Sequence, residues 1–198
     1  GAMKQIVMAS AKWQHGDTIP VVPFRLDVET EKAPTEFEAT FVADGVRYQY
    51  GFTATMQRIH EEWLFAYPNG RPQKWLGRAW NEAANGYEWE KCAALTGQKQ
   101  LWQDSTRENA LFLSTAVQLN CKQLQPVYDW FKKTLRMANV AGWDPSFTAS
   151  LCKESDQRER IIAFLKAADL DIQSVLVESE KISAKHLPEA MPEELKSV

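Results

Sequence analysis

The 198-residue sequence predicts an α+β fold, with an antiparallel sheet from the first half and a helical subdomain from the second. Three observations carry that reading. Phe37, Ala39 and Phe41 alternate with Glu36, Glu38 and Thr40, the period of a strand buried on one face. Asp44-Gly45 is a tight-hairpin dipeptide, and beyond it Val46, Tyr48 and Tyr50 resume the alternation until Gly51. Leu124, Val127, Tyr128, Phe131 and Leu135 then repeat at the three- and four-residue spacing of an amphipathic helix.

Lys4–Lys12 reads as a short amphipathic helix ended by Gly16 and a turn at Asp17–Pro20. The strands occupy about Val21–Trp80, the third run being Trp63–Tyr67 before Pro68-Asn69-Gly70. Asn81–Tyr87, with Asn85-Gly86, is an exposed hairpin or loop, and Trp89–Gln103 has a polar helical composition. Pro126 suits the first turn of the amphipathic helix, and Asn139–Pro145 breaks the helical run after it. Ser155 caps a helix running to Ala168, with Ile161, Ile162 and Leu165 as its buried face. Leu170–Glu178 reads as a returning strand. The organisation is residues 1–3 as a protease-cleavage scar, 4–90 as the β subdomain, 91–180 as a helical arm, and 181–198 as a flexible tail. Such a scar would make the chain an excised piece rather than one with a natural start.

Composition narrows the function classes. A hydrophobic fraction of 44% with 25% charged residues is that of an ordinary globular domain. A net charge of −3 gives no long-range attraction to nucleic acid. No apolar run is long enough for a membrane span, and no signal peptide is visible, so a cytoplasmic place with no membrane partner is expected. Cys92, Cys121 and Cys152 fit neither a disulfide framework nor a zinc site and read as reduced thiols. His15, His60 and His186 lack metal-ligand neighbours, so no metal site is assigned. Glu61-Glu62 reads as a solvated edge before Trp63, because adjacent strand residues point to opposite faces.

Basic residues gather in two places. Arg71, Lys74 and Arg78 interleave with Trp75 and Trp80, a pattern able to stack bases, although acids dilute it and packing is the simpler role for the tryptophans. Lys132, Lys133 and Arg136 line the polar side of the amphipathic helix. Trp130 falls off its apolar stripe, which makes Trp130, Lys132, Lys133 and Arg136 the candidate partner-binding group. No G-x-x-x-x-G-K-[ST] occurs anywhere, so no loop here cradles nucleotide phosphates. Val175-Leu176-Val177-Glu178 is an apolar run ending in an acid, for which a strand with an exposed Glu is the plain account.

The strand-and-turn order of Pro23–Leu76 and the stretch NALFLSTAVQLN, Asn109–Asn120, resemble the RecF/SMC-like ATP-binding-cassette ATPases of bacteria, AAA-type ATPases often found in anti-phage systems. The resemblance covers about Lys4–Glu178, the segment between that family's phosphate loop and its signature motif, whose Ser-x-Gly-Thr is absent here. It implies a parent head that binds and hydrolyses ATP with Mg2+, dimerises around nucleotide and drives an effector such as a nuclease. In it this sheet would pack on a parallel core, and the helical arm would replace the coiled coil. Gln118 stands where the family has the glutamine that meets magnesium and the attacking water; Asn120 reads as a local cap. The chain alone is expected to bind no nucleotide and hydrolyse none, and its sheet to bare an apolar face where the core is missing. The rival reading is a stand-alone, non-enzymatic protein-interaction module.

Overall fold

The structure, a computed structural model, describes residues 1–23, 33–136, 145–168, 170 and 172–178. It falls into two compact units, residues 1–137 and 138–198. The first is the expected α+β unit. Its sheet is an antiparallel meander of β1 (Thr35–Ala43), β2 (Val46–Ala54), β3 (Ile59–Tyr67), β4 (Gln73–Asn81) and β5 (Gly86–Trp89), in that spatial order. Asp44 and Gly45 both take positive φ, 49° and 75°, the backbone that matches a two-residue hairpin to strand twist. The turn sets a register in which Phe41 faces Tyr48.

Alternation then decides the layers. Phe41, Tyr48, Tyr50, Phe52, Leu64, Ala66 and Leu76 are buried on one face. Helices cover them: Ala2–Ala9, through Ile6 and Val7, then Phe112–Gln118 and the turns from Lys122 to Thr134, through Leu124, Val127 and Phe131. The opposite face is aromatic but not bare. Trp63 Nε1 donates to Glu38 Oε2 at 2.9 Å, Gln49 Nε2 to Glu38 Oε1 at 3.1 Å, and Tyr67 Oη to Gln49 Oε1 at 3.2 Å. The Arg47 guanidinium stacks 3.9 Å above the Tyr67 ring. Charged stems thus roof the rings, and the expected naked apolar face is replaced by a hydrogen-bonded ladder.

Several sequence expectations change. The sheet continues to Trp89, which composition assigns to a helix; the helix there is only Lys99–Asp104. The boundary lies near residue 137 rather than 90, because Phe112, Leu113, Val127 and Phe131 complete the core beneath the strands. The amphipathic run is a 3-10 turn (Lys122–Leu124), a short α-helix (Gln125–Asp129) and a π turn (Trp130–Thr134). Its stripe holds: Leu124, Val127 and Phe131 are fully buried.

In the second unit, helices Pro145–Leu151 and Ser155–Ala167 flank the buried Cys152, whose carbonyl accepts from Arg158 Nε at 2.6 Å. Glu154 rather than Ser155 occupies the cap position, and Ile161, Ile162 and Leu165 are half-buried. Residues 170 and 172–178 form no strand. Leu176 is 79% exposed, and no ladder partner for this run exists among the described residues. The interruption expected at Asn139–Pro145 and the tail from 181 lie outside the described residues, apart from Pro145, which opens the helix.

Gly51 generates one prediction. A Cβ there would collide with the Trp63 indole and stand 2.9 Å from the Phe37 carbonyl oxygen, so the ring must leave its Glu38 bond. Gly51→Ala is expected to lower stability by about 1–3 kcal/mol. Urea unfolding measures it; an unchanged midpoint would show that Trp63 shifts freely.

Candidate functional site

Alternation back from Ala66 and Leu64 puts Glu62 on the buried face of β3, and Leu76 does the same for Arg78 on β4. The two stand directly opposite each other in the register. Their side chains are fully buried and paired, with Arg78 Nη2 2.9 Å and Nε 3.0 Å from Glu62 Oε2. A carboxylate removed from water needs more than one cation to offset desolvation. Glu62 finds the rest in three further donors: Tyr50 Oη at 2.9 Å, the Phe112 backbone N–H at 2.7 Å, and the Leu113 N–H at 3.0 Å. Arg78 Nη2 also donates to the Ala110 carbonyl at 2.6 Å, and its guanidinium lies 4.6 Å from the Tyr87 ring centre.

Phe112 and Leu113 open the helix Phe112–Gln118, so their N–H groups have no partner inside it. Glu62, distant in sequence, accepts from both and places negative charge at the positive end of the peptide dipoles. The solvated-edge expectation for Glu62 is therefore overturned, and Arg78 is removed from the candidate nucleic-acid group. Lys74 of that group is bonded to Glu90.

The far end of the same helix carries Gln118. Its side chain is exposed, and no hydrogen bond to it is present among the described residues. The chain turns sharply just beyond it. Asn120 has φ 66°, Cys121 N–H donates to the Ala116 carbonyl at 2.9 Å, and Asn120 N–H to the Val117 carbonyl at 3.0 Å, the closing pattern of a Schellman turn. Asn120 is thus the local cap that the sequence suggested.

The stretch before the helix is held just as firmly. Asn109 Nδ2 donates to the carbonyls of Gln14 and Asp17, Ser10 Oγ accepts from Leu111 N–H, and Ser114 Oγ donates to the Val7 carbonyl. NALFLSTAVQLN is therefore bonded to the N-terminal segment and to the sheet at once.

The partner-binding candidates lie along the π turn and just beyond it. Trp130 stacks on Phe41 with ring centres 4.0 Å apart. The π turn carries it onto β1, where it packs against the core while staying partly exposed. Lys132, Lys133 and Arg136 are all exposed, and Lys133 Nζ donates to Asp129 Oδ2 at 2.8 Å. A groove along β4, lined by Trp75, Trp89, Leu101 and Phe112, has neither Gln118 nor Trp130 on its walls. His60 bonds Thr55 at 3.1 Å, and burial, then Arg58, lowers its pKa; His15 lies 3.9 Å from Glu108, and His186 is outside the described residues. Cys92, Cys121 and Cys152 are buried free thiols. Among the described residues no cluster of His, Cys, Asp or Glu suits a metal ion, and no helix is long and apolar enough to cross a membrane.

Sequence reasoning missed Glu62, Arg78 and Tyr50. The signal was there: two opposite charges in phase with the apolar positions of neighbouring strands.

Residues 10–82 match a family model described as "AAA domain, putative AbiEii toxin, Type IV TA system". This stretch, fewer than half of the residues, is similar to an AAA-type ATPase region. No curated protein and no solved structure matches the chain.

The buried node yields two predictions. Arg78→Leu leaves Glu62 buried without its counter-charge and is expected to cost about 3–5 kcal/mol, measured by denaturant unfolding; a loss below about 1 kcal/mol would contradict the pairing. Tyr50 is the second case. Burial first, and the Glu62 carboxylate second, raise its phenol well above 10.0. The folded state keeps a proton that the unfolded state releases, so the contribution is complete below the ordinary phenol value of 10.0 and is lost as pH rises from there through the higher folded value. Stability is expected to fall more steeply above pH 10 in the wild type than in Tyr50→Phe; parallel curves would refute this.

Proposed function

We propose that this chain is an internal part of an ABC-type, RecF/SMC-like ATPase head, supplying an antiparallel sheet, a glutamine at the hydrolytic site and a helical arm. The observation that supports the reading most is the similarity of residues 10–82 to an AAA domain, on a chain whose first unit is a sheet with a pinned helix leading to an exposed glutamine. Gln118 is the working residue. Its carbonyl oxygen accepts from water or ligates a hard cation without adding charge, and its freedom from other partners among the described residues suits that task.

In this reading the chain does not by itself make a nucleotide site. The sequence has no phosphate loop, and the described residues gather no acidic cluster for magnesium. ATP and Mg2+ would be held by the parent's other segments, where ATP provides the transferable phosphoryl group. The head would dimerise and drive an effector, such as a nuclease, in anti-phage defence in the cytoplasm. The matched family, an AAA domain associated with a putative AbiEii toxin of a type IV toxin–antitoxin system, supports a defensive role. Lys132, Lys133 and Arg136, exposed at and just beyond the π turn, with the partly exposed Trp130 beside them, are the residues for contacting that partner.

The deciding experiment is Gln118→Ala in a full-length protein with a phosphate loop before Lys4 and a signature motif after Val198. Turnover is expected to fall on the order of a hundredfold, with ATP affinity little changed, because positioned contacts matter most as charge develops in the transition state. Wild-type turnover by the variant would reject the role. The isolated chain is expected to release no phosphate above buffer, since phosphoryl transfer needs a phosphate cradle and lysine; turnover by that chain, lost in Gln118→Ala, would show that it carries a working nucleotide site of its own.

A further inference from the structure

The helix Phe112–Gln118 has seven residues, too few to be stable alone in water. It spans about 10 Å, with the Glu62 carboxylate at its first turn and the Gln118 amide at its last. We infer that Glu62 is a positioning residue for Gln118: it ties the start of the helix to the middle of the sheet and thereby sets where the amide stands. This rests on the role given to Gln118 under the proposed function.

The geometry supports such a device. Both carboxylate oxygens are used, Oε1 by Tyr50 and Leu113, Oε2 by Arg78 and Phe112. The donors come from β2, from β4 and from the helix itself, so the helix start is triangulated from three elements. Arg78 adds a second tie through the Ala110 carbonyl just before the helix. Phe112–Ala116 are buried, and the turn at Asn120 fixes the exit. Nothing in this chain of contacts slides: rotating the helix breaks the two N–H bonds, and translating it separates Ala110 from Arg78. Glu62 itself, only 1% exposed, is shut off from solvent and takes no part in chemistry.

Glu62→Gln keeps the volume but turns one oxygen into an N–H donor facing other donors, which pushes the helix start away. A displacement of about 1 Å at a reacting group costs on the order of a hundredfold in rate. The test is a double-mutant cycle in the full-length ATPase: wild type, Glu62→Gln, Gln118→Ala and both together, with turnover and ATP affinity measured for each. Glu62→Gln is expected to lower turnover about tenfold or more while affinity stays within about twofold, and to add no further loss once Gln118 is alanine. If the two losses multiply, Glu62 serves the fold generally and the inference is overturned, while Gln118 keeps its role. If Gln118→Ala alone turns over at the wild-type rate, the reading beneath the inference has failed and the inference falls with it. Should Glu62→Gln not fold, Tyr50→Phe replaces it in the cycle, since it removes one donor to the carboxylate and leaves the ion pair intact.

Discussion

One buried carboxylate holds the first unit together. Glu62 sits in the apolar layer between sheet and helices, where an isolated charge is untenable, and the structure around it is arranged to make it tenable. Arg78 directly across the strand gap supplies the counter-charge, Tyr50 a hydroxyl, and the start of the Phe112–Gln118 helix two backbone N–H groups. These donors come from three separate parts of the chain. A hydrophobic residue at 62 would pack as well in this layer, yet it would leave those two N–H groups unsatisfied and Arg78 unpaired. The acid therefore does for the helix what a local capping residue does elsewhere, from 50 residues away.

The sheet was largely legible in the sequence because its cause is local. Alternation at 36–41 and 46–50, Asp44-Gly45 and Asn85-Gly86 each specify a strand or turn from neighbouring residues alone, and β1, β2 and their hairpin result. The stripe of Leu124, Val127 and Phe131 was equally visible, since burial of one helical face is a periodic property. What was illegible depends on distant partners. Gly86–Trp89 forms a strand by pairing with β4, and residues 172–178 have strand composition with no strand to join among the described residues. A regular α-helix would point Trp130 outward; the π turn changes its direction. Of the candidate site, Gln118 came from a resemblance and the structure gives its setting. Glu62 and Arg78 escape a sequence reading because adjacent acids and interleaved cations look like surface features until the register sets them face to face.

Gln118 is exposed at the end of a helix that is otherwise mostly buried. That contrast is informative about how the unit is built. Leu111–Ala116 sit in the core, the N-terminal segment is bonded to the stretch before them, and the chain reverses at Asn120 immediately after the exposed amide. The outer face of the sheet is built differently. Trp63, Phe65 and Tyr67 lie half-covered by Glu38, Gln49, Arg47 and Lys74, so a second layer of protein is not required to keep those rings from water.

The strands succeed one another as simple hairpins, and neighbouring-strand contacts of this kind form early because little loop entropy opposes them. The buried ion pair alters what that early sheet amounts to. Until residues 110–113 arrive, Glu62 and Arg78 face each other without the two N–H groups or the Ala110 carbonyl that complete them. The meander made from β1 to β5 thus carries an incompletely compensated charge pair on the face it must bury. A chain ending at Trp89 would hold β1 to β5 without the groups that complete this pair, and its sheet is expected to be unstable. The short helix that follows supplies the two N–H groups and, just before it, the Ala110 carbonyl, so sheet and helix depend on each other for this pair.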